Sequence, residues 1–328
     1  MDDITKSDRY SGYDISKIDV SLFTIAKQEE ADTYEEITTK PYNYWGSVGK
    51  GLIRKRTFDV SFILVLVIVL LAIIVPIGKV AHPIDDYYAF APPSWDHLFG
   101  IGNENEDYWT TLWIGTNQTL YFVGLIIVVQ ILLGTGIGLL WGYQKLYSPA
   151  MEWIIKIFKH IPQIVLWVVV VYLFDLANQK NNMFVVVLAV SVTSWVPIAE
   201  KISVSVRRTR LSNLYNSSMS LGLSKAKIFS KTILVNLFPI IFQTIAITFP
   251  EGVATDTTLS FFKLGFVSGS EKTITSLGYI LNETFLISNW ETYPHLILIP
   301  AAMIIIISLL FYYIAHSLSV ALNVKNHS

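Results

Sequence analysis

The chain has 328 residues, of which 52% are hydrophobic and only 15% are charged, and its formal net charge is −1. So low a share of charged residues is unusual for a soluble domain and typical of a membrane protein. The near-zero net charge gives no indication of a nucleic-acid partner, and the absence of cysteine excludes disulfides, thiolate catalysis and Cys-ligated metal sites.

Residues 1–57 are predicted to form a cytoplasmic tail followed by a segment at the membrane surface. The tail is polar with acidic runs, and such a composition buries too little apolar surface to fold compactly. Tyr42, Tyr44 and Trp45 then precede a group of bases. This pattern fits either an amphipathic interfacial segment or an ordinary flank of the first span. The first apolar run begins near Val60, which predicts a retained span rather than a cleavable signal peptide.

Residues 58–328 are predicted to form a transmembrane domain of six helices, so the expected fold is all-α and polytopic. A bilayer core of roughly 30 Å needs about 20 apolar helical residues. The predicted spans are 60–80, 116–143, 151–174, 183–199, 237–261 and 294–322. Bases precede the first span, whereas the loop 81–112 carries six acidic residues and no base. The positive-inside rule therefore predicts that both termini are cytoplasmic.

The second predicted span carries Gly134, Gly138 and Gly142 at four-residue spacing. Small residues at this spacing allow two membrane helices to approach closely. The run 134–138 also resembles a phosphate-binding loop, but it lies inside an apolar span and has no adjacent Lys. Helix packing is therefore the favoured interpretation.

The segment between the fourth and fifth spans, residues 201–236, carries seven bases and no acid. This composition predicts a cytoplasmic location. A short helix is expected to end at Gly222, which adopts the left-handed C-cap geometry without strain, and Ser224 is expected to cap a second helix. Such an element could be a docking site for a cytoplasmic partner or an ordinary basic loop at the membrane surface. The charge of the segment alone does not distinguish the two interpretations.

The fifth predicted span is unusually polar and contains Gln243, Glu251 and Asp256. Ionisable groups at membrane depth are costly and usually face a cavity or a partner. Gln243 and Glu251 are about 80° apart around a helix, whereas Glu251 and Asp256 are about 140° apart. The pattern favours a wet translocation path lined by Gln243 and Glu251, with Asp256 near its outer mouth. The alternative is structural pairing with a partner subunit.

Motifs for catalysis and for nucleotide or metal binding are missing from the sequence. It contains no Walker A pattern, no His-Glu-x2-His zinc motif and no Gly-x-Ser-x-Gly nucleophile elbow. We therefore expect a protein that is not an enzyme and that binds no cofactor or metal in this chain.

The 201–236 segment resembles the EAA loop of ABC importer permeases. Leu221 and Gly222 match the Leu-Gly of that motif, and Ile233 with Leu234 falls at the expected spacing, with Val235 in place of Pro. The family's usual Glu-Ala-Ala is replaced here by Asn216, Ser217 and Ser218.

Further matches extend the resemblance over residues 42–324. They comprise the runs 95–100, 193–195 and 259–265. Taken together, these matches show that the chain resembles the second, OppC-like permease subunit of oligopeptide and dipeptide ABC importers. The resemblance is to the Gram-positive-type branch of that family.

This resemblance implies the type I permease architecture and a membrane-spanning subunit of an ATP-driven oligopeptide importer. A dipeptide, nickel chelate or sugar substrate, or a non-transporting sensor or scaffold, remains an alternative. The implied partners are a second homologous permease, two cytoplasmic ATPase subunits that bind the ATP, an extracellular peptide-binding lipoprotein and the lipid of a bacterial plasma membrane. The residues implied to couple to an ATPase are Asn216, Ser217, Ser218, Met219, Leu221, Gly222, Leu223 and Ser224.

Overall fold

A computed structural model of the chain describes residues 44–78, 89–103, 105–143, 149–175, 183–267, 275–286 and 291–322. Apart from Tyr44, every described residue belongs to one compact unit, Trp45–Ser328. The predicted cytoplasmic tail, including Tyr42, lies outside the described residues and stays a prediction.

Within the described ranges the chain is helical, with loops and an isolated bridge between Ile101 and Asp107 but no strand. The all-α prediction is therefore confirmed. In chain order the helices are α1 (Tyr44–Ile53), α2 (Arg56–Ile74), α3 (Tyr108–Tyr143), α4 (Pro149–His160), α5 (Gln163–Asp175), α6 (Met183–Ser194), α7 (Val196–Arg210), α8 (Asn213–Ser220), α9 (Lys225–Ile228), α10 (Leu234–Phe261), α11 (Leu277–Phe285) and α12 (Pro294–Leu322).

Among the residues that the structure describes, four helices are long and apolar enough to cross a membrane by themselves, namely Arg56–Ile74, Tyr108–Tyr143, Lys225–Phe261 and Pro294–Leu322. Two bent pairs also qualify: Glu152–Phe158 with Gln163–Leu173, bent by 88°, and α6 with α7, bent by 44°. Counting each bent pair as one span gives six, which is the predicted number.

The two bends correct the predicted third and fourth spans. The predicted span 151–174 is interrupted before Gln163, because Pro162 lacks an N–H and disfavours the helical conformation of the residue before it. The predicted span 183–199 breaks at Trp195, and Pro197 lies in the first turn of the helix that follows. This helix continues to Arg210, so the first part of the predicted basic loop is helical.

Helix α3 begins at Tyr108, eight residues before the predicted start at residue 116. Asp107 caps this end, because its Oδ2 accepts from the Thr110 backbone N–H at 3.1 Å and from the Thr110 hydroxyl at 2.6 Å. The ring Nδ1 of His97 lies 3.0 Å from the other carboxylate oxygen of Asp107. A polar cap therefore extends the helix beyond its apolar stretch.

The glycine stripe of α3 packs directly against α7. A Cβ atom at Gly138 would lie 2.7 Å from the carbonyl oxygen of Ala199, and one at Gly142 would lie 2.6 Å from Cβ of Val206. Gly134 makes the same kind of approach to Ile198. The packing prediction is confirmed, since larger residues would force the two helices apart.

The core lies around the middle of α3, where apolar side chains of α6, α10 and α12 meet. Its almost completely buried members include Phe122, Ile126, Leu259, Leu277 and Ile307. Helix α2, in contrast, exposes most of its apolar side chains, which suits a helix that faces lipid.

Helix α11 lies between the predicted fifth and sixth spans. Ser276 caps it by accepting the Tyr279 backbone N–H at 3.1 Å. The helix packs against α3, α10 and α12. It is too short and too mixed in polarity to resemble a span, so span length alone does not reveal it.

Candidate functional site

The helical loop, which we define as α8, α9 and the turn between them, has the predicted helix–Gly–helix form. At the end of α8 the backbone N–H of Leu223 donates to the Ser218 carbonyl at 3.2 Å, and that of Gly222 donates to the Met219 carbonyl at 3.0 Å. Gly222 has φ +75°. These bonds form a Schellman motif, so the predicted glycine C-cap is confirmed.

The second half of the helical loop continues into the polar span. Ser224 caps α9 by accepting the Lys227 backbone N–H at 3.4 Å, as predicted. A π-helical turn, Phe229–Ile233, then joins α9 to α10. Lys225–Phe261 therefore forms one continuous helical element, and a displacement of the loop would be transmitted along α10.

The turn of the helical loop presents apolar side chains to its surroundings. Leu221 is 80% exposed and Met219 is half exposed, whereas Leu223 is partly buried. Of the other predicted coupling residues, Ser218 is partly buried, and the exposed ones are Asn216, Ser217, Gly222 and Ser224. Exposed apolar side chains on a polar loop are typical of a protein-docking surface.

The base of the helical loop is held to the end of α3 through Arg210. Its Nη1 donates to the carbonyl oxygens of Tyr143 and, at 3.4 Å, of Gly142. The guanidinium also lies 4.9 Å from the centroid of the Tyr143 ring, which packs edge-on against Phe229. In the sequence Arg210 is only one of several bases, because its hydrogen-bond partners are more than sixty residues away along the chain.

A cleft between α7 and α10 contains Gln243 in its wall. It has a volume of about 420 Å³, and Glu200, Lys201 and Arg208 of α7 supply its charged groups. Gln243 is partly buried, and its Nε2 donates to the Ser319 hydroxyl of α12 at 2.9 Å.

Glu251 lies in the wall of a second, adjoining cavity of about 250 Å³ between α3, α5, the end of α6, α7 and α10. The cleft and this cavity share three wall residues, Lys201, Thr244 and Ile247. The structure thus places Gln243 and Glu251 in adjoining spaces rather than in a single one. Lys201, which borders both, was not singled out from the sequence, although a base just after the predicted fourth span was visible there.

Asp256 belongs to neither space, because its side chain is only 1% exposed. Its Oδ2 accepts from the Thr119 hydroxyl at 2.7 Å, and the Leu277 backbone N–H donates to the same hydroxyl at 3.0 Å. The Ser276 hydroxyl and the Gly278 backbone N–H also lie beside the carboxylate. In this chain Asp256 therefore holds the start of α11 against α3 and α10.

Within the described part of the chain, no group of three or more His, Asp or Glu residues is placed to hold a metal ion. The chemistry that this arrangement supports is non-covalent. It comprises exposed apolar side chains at the helical loop, a continuous helical connection, and polar cavities beside α10.

Comparison with known proteins places these features in context. Residues 134–325, more than half of the chain, match the family described as binding-protein-dependent transport system inner membrane component. The oligopeptide transport system permease protein AmiD of Streptococcus pneumoniae is 26% identical over 319 residues, which cover 95% of this chain and 100% of that protein.

Two relatives from Bacillus subtilis are also similar. The oligopeptide transport system permease protein OppC is 23% identical over 258 residues, covering 76% of this chain and 81% of that protein. The dipeptide transport system permease protein DppC is 24% identical over 204 residues, covering 61% of each.

Proposed function

Because this chain belongs to the family of binding-protein-dependent transport system inner membrane components, we propose that it is the membrane-spanning permease subunit of an ATP-driven oligopeptide importer. The chain is a multi-pass membrane protein and a permease component of a transporter. Its similarity to AmiD and OppC, which are named as oligopeptide permeases, supports the substrate class. The observation that carries the proposal is the exposed helical loop that continues into the polar span α10.

Membership of this family implies partners that supply ATP hydrolysis and substrate binding. In the proposed assembly these are two cytoplasmic ATPase subunits, a second homologous permease and an extracellular peptide-binding lipoprotein. The ATPases bind the nucleotide, and this chain contributes no ATPase site of its own. Both termini of the chain lie in the cytoplasm of a bacterial cell.

In the proposed mechanism the helical loop docks on an ATPase through Leu221, Met219 and Leu223. Closure of the ATPases moves the loop, and the continuous helix Lys225–Phe261 transmits this motion to the cavities beside α10. Arg210 couples the same motion to α3. The helices then switch between inward-open and outward-open states as rigid bodies.

We assign the translocation path to the exposed side of α10 that carries Gln243 and Glu251, facing the second permease. A carboxylate exposed at membrane depth is costly in lipid but tolerable beside water. Asp256 is given a structural role instead, because its hydrogen-bonded burial leaves it no access to this side of the helix.

Dipeptide import is the second candidate function, since the similar DppC of Bacillus subtilis is named as a dipeptide permease. A sensor or scaffold, the remaining alternative, differs from an importer because it needs no ATPase subunit.

The function is tested by purifying the tagged chain with its partner subunits and reconstituting the complex in proteoliposomes. We expect an ATPase subunit to co-purify, and we expect ATP-dependent uptake of labelled tri-alanine that exceeds uptake of labelled di-alanine. Preference for di-alanine would support dipeptide import. A complex without any ATPase, or without ATP-dependent peptide uptake, would contradict the proposal.

The orientation is tested by single cysteines, which are unambiguous because the chain contains none. Asn103 is exposed before α3, and Asn213 is exposed at the start of α8. In intact cells we expect an impermeant thiol reagent to label Asn103→Cys and to leave Asn213→Cys unlabelled until the membrane is permeabilised. The reverse pattern would overturn the proposed topology.

A further inference from the structure

The cavity that contains Glu251 has the size of a subsite rather than of a complete ligand pocket. Its volume is about 250 Å³, and its walls come from α3, α5, the end of α6, α7 and α10. Pockets that enclose a whole drug-sized ligand have volumes of about 300–1,000 Å³. A space of this size would therefore hold one end of a longer molecule.

Two buried polar groups in the walls have no hydrogen-bond partner among the described residues. They are the indole Nε1–H of Trp167 and the hydroxyl of Ser194, and Trp167 is only 8% exposed. Gln130, 5% exposed, adds an amide to the same walls. Leaving a buried donor or acceptor without a partner is costly, so these groups leave hydrogen-bonding capacity in the cavity walls for a polar molecule.

The charges in the walls narrow the chemistry of that molecule. Glu251 and Lys201 carry opposite charges, and in the described ranges no ion pair or hydrogen bond engages the Glu251 carboxylate or the Lys201 ammonium group, since the Thr255 hydroxyl donates only to the backbone carbonyl of Glu251. A neutral sugar would leave both charges unpaired. The amino-terminal end of a peptide supplies an ammonium group for a carboxylate and, next to it, carbonyl oxygens that accept from N–H donors.

We propose that this cavity binds the amino-terminal end of a transported peptide. Glu251 binds the α-ammonium group, and Trp167 and Lys201 donate to the first main-chain carbonyl oxygens. These contacts involve only groups that every peptide with a free amino terminus carries, so the site recognises peptides independently of their sequence. The inference rests on the proposed function, because it assigns a subsite for the substrate of that importer.

The test uses the reconstituted complex and a cysteine at Thr248, a buried residue in the cavity wall. We expect tri-alanine to slow the labelling of Thr248→Cys by a small thiol reagent and to leave labelling of Asn213→Cys unchanged. N-acetyl-tri-alanine, which lacks the ammonium group, should need at least about tenfold higher concentration, because it loses a charge-assisted hydrogen bond.

Matched substitutions of two tryptophans separate the contribution of the Trp167 hydrogen bond from that of its packing. Trp167→Phe keeps the aromatic bulk but removes the Nε1–H, and it should raise the half-protecting tri-alanine concentration roughly threefold to tenfold. Trp113 is the control, because it is 5% exposed and its Nε1–H also has no partner among the described residues, yet it does not border the cavity. Trp113→Phe should leave the protection unchanged.

The outcomes distinguish this inference from the proposed function. If the complex takes up tri-alanine but the peptide never protects Thr248→Cys, the cavity holds only water and the inference is wrong, while the proposed function stands. Equal effects of Trp167→Phe and Trp113→Phe would also overturn it. If the wild-type complex takes up no peptide, the proposed function fails and this inference fails with it.

Discussion

Peptide uptake should be abolished when Gly222 is replaced by Pro, while the protein still inserts into the membrane. Gly222 has φ +75°, whereas the proline ring holds φ near −65°, so the Schellman turn cannot form. The turn positions Leu221 and Met219, and a few apolar contacts dominate the energy of most interfaces. Gly222→Val should have a similar effect, because left-handed backbone is strongly disfavoured for a β-branched residue.

Gly222→Asn is the matched control for this experiment. A Cβ atom at Gly222 would meet no atom within 4 Å, so the cost of a substitution there is conformational rather than steric. Asn tolerates the left-handed conformation better than other non-glycine residues. We expect Gly222→Asn to retain most of the uptake, measured with ATPase co-purification on the same membranes. Normal uptake by Gly222→Pro would contradict the docking role of the helical loop.

Glu251→Leu should lower peptide uptake severely without lowering the yield of the assembled complex. An unpaired acidic side chain in lipid costs at least about 2.5 kcal/mol on insertion scales, a cost that falls if the side chain faces a water-filled path. Leu removes both the charge and the polarity from the cavity wall. A structural ion pair with the partner permease would predict the opposite result, namely loss of the complex.

Two further variants refine this test, namely Glu251→Gln and the control Glu152→Leu. Gln keeps the polarity but loses the charge, so retained uptake would favour wetting of the path over recognition of the peptide ammonium. Glu152 is the control, because its carboxylate lies on α4, 3.9 Å from Lys156, and borders neither cavity. Glu152→Leu should change uptake little, since such surface pairs contribute at most about 1 kcal/mol. Wild-type uptake by Glu251→Leu would place the path on another side of α10.

The sequence predicted best those features that depend on neighbouring residues. The sixth span has the predicted bounds, Pro294–Leu322, because its apolar stretch is uninterrupted. Gly222 ends α8 and Ser224 begins α9 because both act through hydrogen bonds to the adjacent turn. Pro162 is visible in the sequence as a point where the predicted third span can bend, but the size of the bend depends on how α4 and α5 pack, and the sequence carries no signal for that.

Features that depend on distant residues were missed. Arg210 binds carbonyl oxygens at the end of α3, and Trp167 and Gln130 meet Glu251 only because α5 and α3 pack beside α10. Gln130 was visible as an isolated polar residue in an apolar span, which could have identified it as a cavity residue. No local pattern distinguishes Trp167 from the other tryptophans.

By itself the sequence determined that this protein is a helical membrane protein, that one glycine stripe packs against another helix, and that its fifth span is polar. Helical geometry also separates Glu251 from Asp256 by about 140°. The sequence cannot say which of the two side chains points into the protein, because both carboxylates are equally costly in lipid. Only the tertiary structure decided this. Thr119 on α3 and the start of α11 supply hydrogen bonds on one side of α10, so Asp256 is buried there and Glu251 is left facing a cavity.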